Sequence, residues 1–228
     1  MNSQKDTRTR FSNQSRKTKE PKELRASTVA RRASILSGAL TCFDRFGIDN
    51  TTISEIQREA DCSIGSLYHH FGSKEGIAEE LFIEGIQQFN SGMIRRLKRN
   101  HTAEDSVKAV VRFYCDWTAR NRPLATYLHS RNIQFSDVAR DRLHKIHNAY
   151  ILEVFLLFAR YVESGEMRVL PVETYVPLIS GPVQEYTRRW LSGQSGTGSS
   201  ISREMKELFA DASWKVVKAE PTSPALSN

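Results

Sequence analysis

No apolar run in this 228-residue chain approaches the ~20 residues that a membrane span needs. The basic N-terminus has no apolar stretch behind it, so it does not read as a signal peptide. Cysteine is scarce. Cys42, Cys62 and Cys115 are too few and too scattered for a disulfide framework or a tetrahedral metal site, and a reducing, cytoplasmic setting fits. No segment alternates with the period of two that marks a half-buried strand. Catalytic signatures are missing as well: there is no Gly-x-Ser-x-Gly elbow and no Ser/His/Asp set suggested by spacing. The stretch from Ser192 to Ser200 has a phosphate loop's composition without its Lys-Ser/Thr ending, and reads as a linker. His144 and His147 share a helix face but have no further ligands beside them. Neither an enzyme nor a cofactor or metal is expected.

What is present is length enough for a substantial core and a net charge of +7. The distribution of that charge matters more than its sum. Residues 1–25 hold eight Lys/Arg against Asp6, Glu20 and Glu23, a balance of +5. Residues 26–75 hold five basic against six acidic side chains, a balance of −1. The polar, apolar-poor start reads as a flexible basic arm over 1–26.

Beyond it the pattern is helical throughout. A first helix is expected over 27–46, with Ile35, Leu36, Ala39, Leu40 and Phe43 in its buried stripe and Gly47 ending it. Further helices are expected from Ser73 to about Arg99, over 103–121, from Pro123, over 136–163, over 174–192 and over 201–218. Residues 166–173 form a loop, and 219–228 a frayed tail. Pro177 falls in a first turn, whereas Gly181-Pro182 should kink its helix.

The segment Thr51–Lys74 carries the strongest signal. Thr52 and Glu55 have capping-box spacing. The short helix they open is broken at Asp61-Cys62, and Ser63 can cap a second one with Leu67 and Phe71 inward. A helix that short offers mainly its narrow N-terminal end, the size of element that enters a DNA major groove. This helix-turn-helix resembles the signature of the TetR family of transcriptional regulators at Thr52, Ile56, Ala60, Ser63, Gly65, Leu67, Tyr68, His70, Phe71 and Lys74. The resemblance covers roughly residues 28–95. Gly76 departs from it, since the family usually carries a longer residue there, and Cys62 in the turn departs too.

The resemblance implies an all-α protein: a three-helix DNA-binding domain over 27–75 and a helical effector-binding and dimerisation domain over 76–218. Thr52, Tyr68, His69 and Lys74 are expected to hold phosphates, with Ser63, Ile64, Gly65 and Ser66 approaching base edges. None of those four is an Arg, Asn or Gln able to make a bidentate base contact, so methyl contacts through Ile64, DNA shape and the arm must carry specificity. The family encloses a small-molecule pocket in the later helices. Here Trp117, Tyr127, His147 and Tyr161 are expected to line it, which favours an apolar or amphipathic effector. Val176, Ile179, Val183, Tyr186 and Trp190 recur as a helix-packing seam, and Met205 and Phe209 lie on a second stripe. Together with the family's four-helix dimer bundle, this places Val183, Tyr186, Trp190, Met205 and Phe209 at a homodimer interface. The partners expected are therefore operator DNA, a second copy and an unidentified effector, with no membrane. The function expected is a repressor released from its operator by ligand. The alternative is a helical carrier or enzyme retaining an unused helix-turn-helix.

Overall fold

The computed structural model describes residues 21–130, 133–194 and 200–220, the side chains of 21–26 excepted. Most of the expected arm and tail, and the centre of the 192–200 linker, lie outside the described residues. Among the described residues nine helices follow one another: α1 (Pro21–Phe46), α2 (Ile53–Glu59), α3 (Ile64–Phe71), α4 (Lys74–Leu97), α5 (Ala103–Arg120), α6 (Arg122–Leu128), α7 (Asp137–Glu163), α8 (Val172–Leu191) and α9 (Arg203–Val217). Among the described residues the extended backbone amounts to one isolated bridge, Met167 with Lys218, which ties the α7–α8 loop to the end of α9. The fold is all-α, with the helix-turn-helix at the N-terminal end. No helix among the described residues is long and apolar enough to cross a membrane.

Hydroxyl caps set most of the helix starts. The side chains of Thr52, Ser63, Ser73, Thr102, Ser136 and Ser202 each accept a hydrogen bond from an amide of the following turn, satisfying donors that a helix leaves free. Two starts differ from expectation. The first helix begins at Pro21, six residues inside the expected arm, because proline's missing N–H and fixed φ suit a first helical position. The eighth begins at Val172, which sets Pro177 two residues deeper than expected, and the helix runs on through Pro182. Between the two prolines the Ser180 hydroxyl donates to the Val176 carbonyl at 2.8 Å and accepts from the Gln184 side-chain amide at 2.8 Å.

Three apolar clusters organise the packing. The first joins α1 to α4 with α6, through Ile35, Ala39, Phe43, Ile56, Leu67 and Tyr127. The second gathers Met93, Leu97, Val107, Phe158 and Ile179 in the middle of the protein. The third packs α8 and α9 on α5, around Val111, Cys115, Val183 and Trp190. A single carboxylate also spans three helices: Glu80 of α4 pairs with Arg32 of α1 at 3.1 Å and with Arg142 of α7.

Candidate DNA-binding face and ligand cavity

The helix-turn-helix is closely built. Thr52 and Glu55 form a complete capping box: the Thr52 amide and hydroxyl donate to the Glu55 carboxylate at 2.7 and 2.9 Å. These bonds hold the Glu55 carboxyl below its ordinary range. Asp61 takes a positive φ of 46° in the turn, a conformation that aspartate tolerates better than most residues. Its carbonyl accepts from Arg31 at 3.0 Å. Leu67 is 1 % exposed and pins α3 to the core, and Gly72, at φ +75°, ends that helix.

The opposite side of α3 is open. Ile64, Gly65, Tyr68 and His69 are exposed, with Ser66 half-buried beside them, and nothing lies within 4 Å of where a Gly65 Cβ would stand. Exposed Thr52 and Ser63 sit at the N-termini of α2 and α3. Seven of the eight residues expected to meet DNA therefore cluster around the two helix starts and the outer face of α3. Lys74 is more occupied than expected. Its ammonium donates to the Ile48 and Asp49 carbonyls at 2.9 and 3.2 Å, clamping the α1–α2 turn. His70 points inward instead. Burial first, and then the neighbouring His69, Arg32 and Arg31 charges, push its pKa down.

Gly76, the family departure, has a local reason. A Cβ at this position would stand 2.1 Å from the Phe71 carbonyl oxygen, so the tight exit from α3 into α4 leaves no room for a side chain.

Behind the head, α4, α5, α7 and α8 enclose a cavity of about 390 Å³. Phe89 reaches into it from α4, making edge contacts with Phe113, Tyr114 and Trp117. Exposed His147, Phe155 and Val172 border its mouth on α7 and α8. Among the described residues no Asp, Glu, Lys or Arg lines it. Of the four residues expected there, Trp117 and His147 are among the lining. Tyr127 and Tyr161 are not, and both are corrected by the same physics: their phenol tips are satisfied elsewhere. Tyr127 donates to the Ala78 carbonyl at 2.7 Å and stacks on Phe43 at 5.7 Å, inside the head's core. Tyr161 meets Ser106 at 2.9 Å and Arg160 at 2.6 Å on the other side of α7.

The expected interface also needs correction. Val183 is 0 % and Trp190 2 % exposed within one chain, because the seam they belong to faces α5 and not outward. Trp190 packs in the third cluster, with the Arg122 guanidinium over its ring at 4.6 Å. Tyr186, Met205 and Phe209 are half-buried, with the Tyr186 and Phe209 rings 5.0 Å apart. The outward positions of this helix pair include Gly181, Pro182, Leu208 and Val216.

A family profile described as "Bacterial regulatory proteins, tetR family" matches residues 35–81, which span the end of α1, the helix-turn-helix and the start of α4. The chain is a TetR-family regulator. It is similar to the transcriptional regulator BetI of Vibrio vulnificus (strain YJ016), at 24 % identity over 66 % of this chain and 78 % of that protein. It is also similar to the fatty acid metabolism regulator protein of Bacillus subtilis (strain 168), at 24 % identity over 77 % of this chain and 91 % of that one. The TetR fold extends over the body: a crystal structure of FadR from Bacillus subtilis in complex with stearoyl-CoA superposes with a TM-score of 0.68 at 21 % identity, covering 79 % of this chain and 96 % of that chain.

Within this TetR-type body the sequence reading overlooked Asn90, Tyr114, Thr118, Tyr150 and Gln184, all of which line the cavity. A signal for two of them was available. Tyr114 and Thr118 stand at i and i+4 and so share one face of α5 with Val107, Val110 and Val111 nearby, a polar pair set in an otherwise apolar stripe.

Proposed function

We propose that this protein is a dimeric repressor that holds operator DNA through the exposed face of α3 and releases it when a small ligand enters the cavity. The observation that carries this reading is the position of α6. Leu128 and His129 line the cavity, while Leu124, Ala125 and Tyr127 of the same helix belong to the core of the DNA-binding head. Gly85 lets α6 lie so close to α4 that a Cβ there would come within 3.0 Å of Leu124 and 3.1 Å of Leu128. A ligand that displaces Leu128 thus presses on both helices that carry the head. Such a ligand must favour the DNA-incompetent state by about 1–3 kcal/mol to act as a switch. FadR holds stearoyl-CoA; the uncharged cavity here suits an apolar or amphipathic body.

Tyr68 and His69 contact phosphates, as does Thr52 from the start of α2, and Ile64 supplies apolar contact to base edges. A second copy docks on the outward faces of α8 and α9, through Leu208, Val216 and the Gly181-Pro182 strip, with Tyr186, Met205 and Phe209 at its margin. This spaces two recognition helices at roughly 34–36 Å, one turn of DNA. The basic arm adds attraction at low salt.

The test is a gel shift with the DNA upstream of the protein's own gene. Wild type is expected to bind as a dimer, and Tyr68→Ala to lose affinity for all sequences alike, as a backbone contact does. Failure of the wild-type protein to select that DNA over unrelated DNA would leave a helical carrier with an idle helix-turn-helix.

A further inference from the structure

The cavity is apolar in bulk, yet one side of it holds hydroxyl groups that the protein leaves unsatisfied. Thr118 is 1 % exposed, and its Oγ1 is buried without any hydrogen-bond partner. This is unusual for a threonine inside a helix, which ordinarily turns its hydroxyl to the carbonyl a turn back, as Thr187 does to Val183 at 2.8 Å. Tyr114, one turn earlier on α5, lines the same cavity, and its hydroxyl hydrogen-bonds to nothing in the described protein. Tyr150 comes from α7 with an equally unpartnered phenol, and Asn90 completes the group from α4. Both of these stand at the α4–α7 seam, where they also border a shallower outer cleft.

Leaving a buried polar group unpaired is costly, and the Thr118 hydroxyl belongs to the cavity wall together with Tyr114 and Tyr150. Elsewhere in the same chain, buried phenols are paired: Tyr127 to Ala78, and Tyr161 to Ser106. The contrast separates hydroxyls that hold the fold together from hydroxyls that await a partner.

Charge decides what kind of partner. Among the described residues no lining side chain is a carboxylate, ammonium or guanidinium. Of the two lining histidines, His147 is exposed at the mouth and His129 has its Nδ1 2.8 Å from the Ala125 carbonyl. An ion drawn to the Thr118 end would therefore lose its water with no fixed counter-charge beside it, which is strongly unfavourable. The low polarity is felt by the phenols themselves: burial alone pushes Tyr114 up to about 12, and it raises Tyr150 as well. An uncharged oxygen acceptor meets no such penalty, since Thr118 and Tyr114 can both donate to it.

From this geometry we infer that the cavity selects a neutral ligand: an apolar body bearing an uncharged carbonyl, ester or lactone oxygen that accepts hydrogen bonds from Thr118 and Tyr114. The inference rests on the cavity being the effector site, and it specifies the effector's chemical class. An ionised head group is tolerated only outside the mouth, beyond Phe155 and Val172.

Matched probes test it directly on the full chain, read by thermal shift and by tryptophan fluorescence, to which Trp117 in the cavity wall contributes alongside Trp190 and Trp214. Methyl decanoate, sodium decanoate and undecane share an apolar body and differ in polar group. At neutral pH the ester is expected to bind at least about tenfold more tightly than the carboxylate. Thr118→Val keeps the side-chain shape and removes the hydroxyl. It is expected to weaken the ester by about three- to tenfold while leaving undecane unchanged. Tyr114→Phe should do the same, giving a second readout should either variant fold poorly. A merely structural role for these residues would shift ester and hydrocarbon equally. Decanoate binding as tightly as the ester overturns the inference, as does an ester affinity indifferent to both substitutions, or no binding by any of the three probes. Ester binding with the expected selectivity but no effect on the gel shift leaves the subsite standing and overturns the ligand-released reading alone.

Discussion

At two glycines inside the DNA-binding head, one added carbon has nowhere to go. A Cβ at Gly38 would stand 2.9 Å from the Ala60 backbone nitrogen, and one at Gly76 2.1 Å from the Phe71 carbonyl oxygen. A few turns along α4, the same chain leaves about 390 Å³ unfilled and a threonine hydroxyl without a partner. Interiors are normally packed to the density of organic crystals, so the head is ordinary and the cavity is the exception. The lesson is a division of labour. A recognition helix of eight residues has too little buried surface to hold its own orientation. The close approach of α4 to the end of α3 fixes it, and that of α1 to the end of α2 fixes the turn that leads into it. A ligand chamber must forgo that packing, and its stability comes from the clusters on either side.

The comparison can be broken most sharply at the buried seam. Trp190→Ala empties a site only 2 % exposed in the α5–α8–α9 core and is expected to cost about 3–5 kcal/mol, seen as a collapse of the thermal unfolding midpoint. Were Trp190 an interface residue, the variant would instead be a folded monomer by sedimentation. A smaller effect is expected at the head. Gly76→Ala should destabilise by about 1–3 kcal/mol in denaturant titrations and weaken DNA binding more than its stability loss alone explains, since the obstructing atom is a backbone carbonyl. Ala159→Leu, which adds three carbons to the cavity wall, should change stability by less than ~1 kcal/mol because the space exists, while abolishing probe binding. A larger cost there than at Gly76 would reverse the contrast.

The smallest effect concerns acid. His70 has a folded pKa below its ordinary 6.5, so the unfolded chain takes up a proton before the folded one does. Its contribution to stability is full above pH 6.5 and falls as pH drops through the folded value. His70→Gln should flatten the loss of stability with acid, measured by unfolding midpoints between neutral pH and about pH 5.

The helices were legible because their signals are local. Thr52 with Glu55, Ser63, Ser73 and Ser136 each announce a helix start through chemistry that acts over three residues. The start of α1 was misplaced because the basic composition of 1–26 concealed Pro21 as a first helical residue. Periodicity showed which face of α8 is apolar, but not what covers that face: the seam through Val183 and Trp190 reads alike whether it meets α5 or a second copy. The same limit applies to the aromatics. Tyr127 and Tyr161 have the amphipathic character of ligand-lining residues, and only their distant partners, Ala78 and Ser106, show that they are spoken for. Thr118 is the converse, a hydroxyl conspicuous because nothing answers it, and an absence of partners is a property of three-dimensional packing alone.

Glu80, shared between Arg32 of α1 and Arg142 of α7, bears on how operator binding responds to ionic strength. Added salt competes with the protein for phosphates and shrinks the entropic gain from the counterions that binding releases. It also screens the charges that lash the head to the body, though less than fully exposed pairs because Glu80 is only 20 % exposed. A log–log plot of affinity against salt therefore contains a conformational component and overstates the number of phosphates touched. Glu80→Gln subtracts that component, and the slope that remains counts the DNA contacts themselves.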